Sequence, residues 1–117
     1  MRIFIDADAC PKPVREILYK AGTRFSIELI LVANQALQIP QSPLIRLLQV
    51  SKGFDEADNE IVRLLVAGDL VVTSDIPLAS DAIAKGAQAL NPRGKLYTTH
   101  NIQQQLAVRD LMSHLRD

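Results

Sequence analysis

Cysteine occurs once, at Cys10, so neither an intramolecular disulfide framework nor a thiolate metal cluster can be built within one chain. That count fits a reducing, intracellular compartment better than an extracellular one. Long apolar runs are missing as well: the longest, such as Ile27 to Ala33, are strand-sized, far short of the roughly 18 residues that span a bilayer. The opening MRIFIDADACP is too short in apolar content for a signal peptide, and acidic residues interrupt it. A cytoplasmic protein without membrane contact is the expectation. Net charge is absent too, with 13 basic and 13 acidic side chains, which argues against a binder held to nucleic acid by bulk electrostatics. It leaves open a local basic face, or an enzyme that meets a phosphodiester through bound metal. Two tyrosines and three phenylalanines provide no stacking platform, and neither a P-loop nor a dinucleotide glycine fingerprint is present.

What the chain does have is 117 residues, of which 48% are hydrophobic, enough for one domain with its own core. Arg2 to Ile5 reads as a short strand that runs into Asp6, and Pro11 and Pro13 then suit the first turn of a helix. Val14, Ile17 and Leu18 give that helix an apolar face from Pro13 to about Lys20, with Gly22 as its terminator. Phe25 to Ala33 follows as a strand covered on both faces. A polar connection from Asn34 to Pro43 leads to a third strand, Leu44 to Val50. Asp55 or Asp58 opens a helix with Ala57, Ile61, Leu64 and Leu65 on one side, ended by Gly68. Leu70 to Thr73 makes a fourth strand, Pro77 to Ala84 a short helix stopped by Gly86, and Ala87 to Leu90 an edge-like fifth strand. After a turn at Asn91 to Gly94, Ile102 to Leu115 closes the chain as a helix. Strands alternating with helices predict an α/β fold in which a mainly parallel sheet lies between helical layers.

The chemistry in this pattern is carried by aspartates. Asp6 and Asp8 follow the first strand, Asp75 follows the fourth, and Asp55 and Asp58 lie at the start of the helix after the third. Functional groups of parallel sheets gather beyond the carboxyl ends of strands, so neighbouring strands would bring these acids to one rim. Each alone has an ordinary use as a cap or turn residue, Asp55 and Asp58 especially. Together they repel one another unless protons or cations compensate, and hard divalent ions such as Mg²⁺ or Mn²⁺ do so with carboxylate and water ligands. Asp6, Asp58 and Asp75 are the expected catalytic acids, and Asp8 and Asp55 join them as candidate ligands. Asp81 reads as solvated. Lys12 and Arg15, near the start of the first helix, are candidate contacts for an anionic substrate, as is the Ser74 hydroxyl; Thr73, Arg93 and Lys95 carry similar potential. Cys10 reads as a small buried residue, because Asp8 opposes thiolate formation and no histidine lies near it in sequence.

Asp6-Ala7-Asp8-Ala9-Cys10-Pro11, Gly53-Phe54-Asp55-Glu56-Ala57-Asp58 and Thr73-Ser74-Asp75-Ile76-Pro77-Leu78-Ala79 together resemble the bacterial YaiI/YqxD family, which in turn resembles the PIN-like nuclease superfamily. The similarity runs from Met1 to about Leu115. It implies a PIN-like three-layer sandwich as one domain over residues 1–117, with a further C-terminal tail in longer members. It also implies Mg²⁺- or Mn²⁺-dependent cleavage of RNA phosphodiesters, with Asp6 as the first acid, Asp58 as the helical acid and Asp75 as the acid after the later strand. Asp8 and Asp55 are additions to that pattern. Because PIN-like proteins often pair, the resemblance makes a homodimer conceivable. Two other functions compete. A haloacid-dehalogenase-like phosphatase would use Asp6 as nucleophile and Asp8 as acid or base, though Cys10 stands where that motif has Thr or Val. A non-catalytic scaffold would bind RNA or protein and keep the acids for structure.

Overall fold

The computed structural model describes residues 1–53 and 55–116. Its elements are β1 (Arg2–Asp6), a single 3₁₀ turn (Ala7–Ala9), α1 (Lys12–Phe25), β2 (Glu28–Ala33), β3 (Ile45–Gln49), α2 (Glu56–Leu64), β4 (Leu70–Val72), α3 (Ile76–Ala84), β5 (Gln88–Leu90), β6 (Leu96–Tyr97) and α4 (Thr99–Arg116). The sheet order is β3-β2-β1-β4-β5-β6, parallel throughout except where β6 joins β5. Apolar side chains on both faces of β1, β2 and β4 explain this arrangement, because such strands are stable only when covered from both sides. Ile3, Ile5, Leu29 and Leu31 form one face with Val14 and Leu18 of α1 packed against it. Phe4, Ile30 and Val71 form the other, beneath Ile61 and Leu65 from the α2 side, Leu78 and Ala82 of α3, and Ile102 of α4. The result is the expected three-layer α/β sandwich about a mainly parallel sheet. No described helix is long and apolar enough to cross a membrane.

Several boundaries differ from the sequence expectation for identifiable reasons. α1 passes through Gly22 and stops at Ser26, which takes the left-handed conformation (φ 54°) and donates its N–H to the last turn. Gly22 serves packing instead: a Cβ there would lie 2.8 Å from Leu29 Cδ1 and 3.1 Å from the Ile27 carbonyl oxygen. Gly22→Ala gains about 1 kcal/mol of helix propensity but incurs an overpacking cost of about 1–3 kcal/mol, so a net loss is expected in urea denaturation. α2 ends at Leu64, before Gly68, which sits in the following turn at φ +92°. β5 is not an edge, because the two-residue β6 pairs with it antiparallel, and two residues are too few to leave a periodic signal. α4 starts three residues early. Thr98 N–H donates to Asn101 Oδ1 (2.8 Å) while Asn101 N–H donates to Thr98 Oγ1 (3.1 Å), a reciprocal cap that fixes the helix start.

At the amino-terminal end of the strands, Arg2 and Asp69 tie β1 to the turn before β4. The Arg2 guanidinium lies 2.9 Å from Asp69 Oδ2 and also donates to the Leu64 carbonyl, and Asp69 accepts the backbone N–H groups of Arg2 and Val66.

Candidate active site

Strand alternation decides which side chains meet at the opposite, carboxyl end of the sheet. Asp6 shares the face of Phe4, Thr73 extends the face of Val71, and Ile5 is in register with Val72. The chain order reverses between β1 and β4, so their ends open the crevice in which open α/β sheets commonly place ligands. There Thr73 Oγ1 donates to Asp6 Oδ2 at 3.0 Å and accepts the Asp75 N–H at 3.0 Å. Asp75 is the N-cap of α3, its Oδ1 accepting the Leu78 N–H at 2.9 Å. The capping role and a place in the site therefore coincide in one residue.

Asp58 comes in from the first turn of α2, half-buried. Burial first, then the charges of Asp75 and Asp6, a hydrogen bond with Asp75 and the charge of Asp55 push its carboxyl up to about 7. Asp6 is also raised, by burial and by the charges of Asp75 and Asp8, against the Thr73 hydrogen bond that favours its ionised form. Acids from β1, α2 and the end of β4 thus stand in mutual electrostatic contact. Asp8 and Asp55 add their charges from more exposed positions. Asp8 is exposed, and its Oδ2 accepts the Asn34 N–H at 2.8 Å. Asp55 is exposed in a left-handed conformation (φ 61°) and makes no side-chain cap.

Two cavities meet at these acids. One of about 160 Å³ is lined by Asp6, Asp8, Asn34, Asp55 and Asp58 among others, and one of about 270 Å³ by Asp55, Asp58, Asn59, Asp75, Asp81 and Arg109. Among the described residues no group of three His, Cys, Asp or Glu side chains forms a ready-made ligand cage. The donor chemistry nevertheless fits a hard divalent ion. The groups lining these cavities include several carboxylates, and burial together with the charges of Asp75 and Asp6 favours a proton on Asp58 that a cation could replace.

The expected substrate contacts fare differently. Lys12 is exposed at the start of α1. Arg15 is engaged with the chain itself, donating to the carbonyls of Cys10 (3.1 Å) and Ala7 (3.4 Å), and so braces the turn that carries Asp8. Ser74 lines a separate depression of about 420 Å³ with Ala9, Pro11, Pro92 and Arg93. None of the three lines either acidic cavity. Cys10 is buried, and that burial pushes its thiol up, as an inert core residue requires. Thr73, not Ser74, is the hydroxyl that reaches the acids, a distinction legible in the alternation from Val71. Asp81, expected to be solvated, is exposed and also borders the larger cavity. Asn59 and Arg109 line that cavity without having been singled out; Arg109 arrives on α4, which no local signal ties to the strand ends.

The family described as "Uncharacterized BCR, YaiI/YqxD family" matches residues 4–117. The UPF0178 protein Tgr7_2584 of Thioalkalivibrio sulfidiphilus is 60% identical over 116 residues, which cover 99% of this chain and 79% of that protein. The UPF0178 protein YaiI of Escherichia coli is 59% identical over 116 residues, covering 99% of this chain and 76% of its own length. No solved structure matches the chain. With a family match over nearly its whole length and relatives of this similarity, the chain belongs to the YaiI/YqxD family.

Proposed function

We propose that this protein is a Mg²⁺- or Mn²⁺-dependent phosphodiester hydrolase acting on RNA or a related nucleic acid, with Asp6, Asp58 and Asp75 holding the ion. The observation that carries this reading is that the Thr73 hydroxyl joins the Asp6 carboxylate to the Asp75 backbone where the strand order reverses, while Asp58 lines both the cavity of Asp6 and that of Asp75. A bound divalent ion supplies Lewis acidity towards a phosphoryl oxygen and a more acidic water. The chain's own groups do the positioning. Thr73 orients Asp6 and favours its ionised form, and the Leu78 N–H fixes the rotamer of Asp75. Val62 and Leu78 give the larger cavity an apolar wall. The phosphatase alternative needs Asp8 as acid or base towards Asp6; Asp8 lines the same cavity, but its Oδ2 accepts the Asn34 N–H, a bond that favours the ionised form over a proton donor. A covalent aspartyl-phosphate analogue on Asp6 would favour that alternative.

Thermal unfolding tests ion binding without relying on turnover. The folded carboxyl of Asp58 titrates near 7 against an ordinary value of 3.8, so between those values the native state binds the extra proton. Its contribution to stability is full below 3.8, declines as pH rises and is lost above about 7. Two outcomes are expected at pH 8: Mn²⁺ raises the melting temperature of the wild type, and Asp58→Asn raises it without metal while removing the response to Mn²⁺. A wild type whose melting temperature is indifferent to millimolar Mn²⁺ and Mg²⁺ would remove the metal from the proposal. Mn²⁺-dependent cleavage of bis-p-nitrophenyl phosphate or of a short RNA then separates a hydrolase from a scaffold that only binds.

A further inference from the structure

We infer that the groove between α3 and α4 receives one unstacked nucleotide of a single-stranded polynucleotide, next to the phosphodiester presented to the carboxylates. The inference rests on the hydrolase reading for the position of the cut. Arg109 lines the cavity that holds Asp58, Asp75 and Asp81 and also an adjoining depression of about 410 Å³ lined by Ile76, Gln104, Gln105 and Val108. Four aspartates border the first cavity, yet among the described residues Arg109 joins no ion pair; the pairs present are Arg2 with Asp69, Arg46 with Glu28, and Arg63 with Glu60. An exposed guanidinium without a protein partner, at the mouth of an acidic cavity, is placed to take a phosphate in its planar fork.

The rest of the groove has the chemistry of a base site. Gln105, Val108 and Arg109 stand at i, i+3 and i+4 on α4 and therefore share a face. Ile76 directly follows Asp75, so the groove begins one residue from a candidate metal ligand. Ile76 and Val108 offer apolar contact to a base ring, and the carboxamides of Gln104 and Gln105 carry both donors and acceptors for a base edge. A volume of about 410 Å³ falls within the range of small-ligand sites. A base paired and stacked in a duplex cannot present its ring between two helices, which selects the single strand. With one unpaired arginine neutralising one phosphate of a single strand, the affinity should depend only weakly on salt, with a slope of about −0.7 in log K against log salt.

The test is fluorescence anisotropy of a labelled hexauridylate RNA in EDTA, where no metal-dependent cleavage occurs. Arg109→Ala and Val108→Asp are each expected to weaken binding about 10-fold, with Arg109→Lys intermediate, while Arg24→Ala on the far side of the sheet stays within about 2-fold. An abasic oligomer should bind the wild type more weakly and be indifferent to Val108→Ala, which removes the apolar contact without adding charge. Wild-type affinity in both α4 variants, or no binding by the wild type, overturns the proposal. So does sedimentation showing a dimer that Val108→Asp dissociates, since a second copy would then occupy the groove. Binding that needs Arg109 and Val108 in a protein without Mn²⁺-dependent cleavage retains the groove and removes the hydrolase. Cleavage of the same RNA with unaltered KM in both variants does the reverse.

Discussion

Asp6→Asn is expected to lower Mn²⁺-dependent phosphodiester cleavage by on the order of 10³-fold, the scale of losing a group that stabilises developing charge, without lowering the melting temperature. The two halves of this expectation have one cause. Asp6 is 7% exposed, and burial and the neighbouring carboxylates work against its charge, so a neutral side chain of the same shape removes a cost from the folded state. Asparagine retains an oxygen to accept the Thr73 hydroxyl, which preserves the local geometry. Steady-state kinetics on bis-p-nitrophenyl phosphate, paired with a thermal melt of the same preparation, checks both. An Asp6→Asn protein as active as the wild type would end the catalytic role of this carboxylate. One that loses activity only because it melts would make Asp6 structural.

The second large effect lies at the other end of the strands and concerns stability alone. Asp69→Ala is expected to cost about 3 kcal/mol, because it strands the Arg2 guanidinium and two backbone N–H groups that the carboxylate now satisfies. Against a total stability of about 5–15 kcal/mol that is a large share. Burial works to raise the Asp69 carboxyl, but the Arg2 hydrogen bond, the N–H groups of Val66 and Arg2, and the Arg2 charge outweigh it and hold it below the ordinary value of 3.8. The unfolded chain therefore binds the proton first on acidification. The stabilisation is present above the unfolded carboxylate's pKa and is lost as pH falls through the lower folded one. Urea denaturation at pH 7 and at decreasing pH should show the gap between Asp69→Ala and wild type narrowing only in strongly acidic solution. A gap independent of pH would assign the loss to packing.

Much of this architecture is legible in local pattern, because strands buried on both faces leave continuous apolar runs and helices leave spaced ones. Asp6, Asp58 and Asp75 could be singled out for the same reason: each stands where an apolar element ends or begins. Gly22 differs from its expected role as a terminator because a glycine that ends a helix and one that lets a helix touch a strand look identical until Leu29 is placed. Thr73 and Ser74 are adjacent hydroxyls of similar potential in the sequence, and only the alternation from Val71 separates the one that meets Asp6 from the one that faces Pro92 and Arg93. The orientation of Asp8 and Asp55 at the cavity depends on the Asn34 backbone and on one left-handed residue, and composition registers neither. Arg109 lay beyond any local reasoning, as its place comes from how α4 packs on α3.

The sheet's two flanks are unequal. On one side β6 offers only two residues, too short a rail for another chain to anneal to. On the other, β3 runs for five residues as the outermost strand, and exposed Arg46, paired with Glu28, is the charge set along it. Aggregation by illegitimate strand addition thus has one flank available, and solubility under mild denaturing stress should turn on Arg46 more than on any residue of β6.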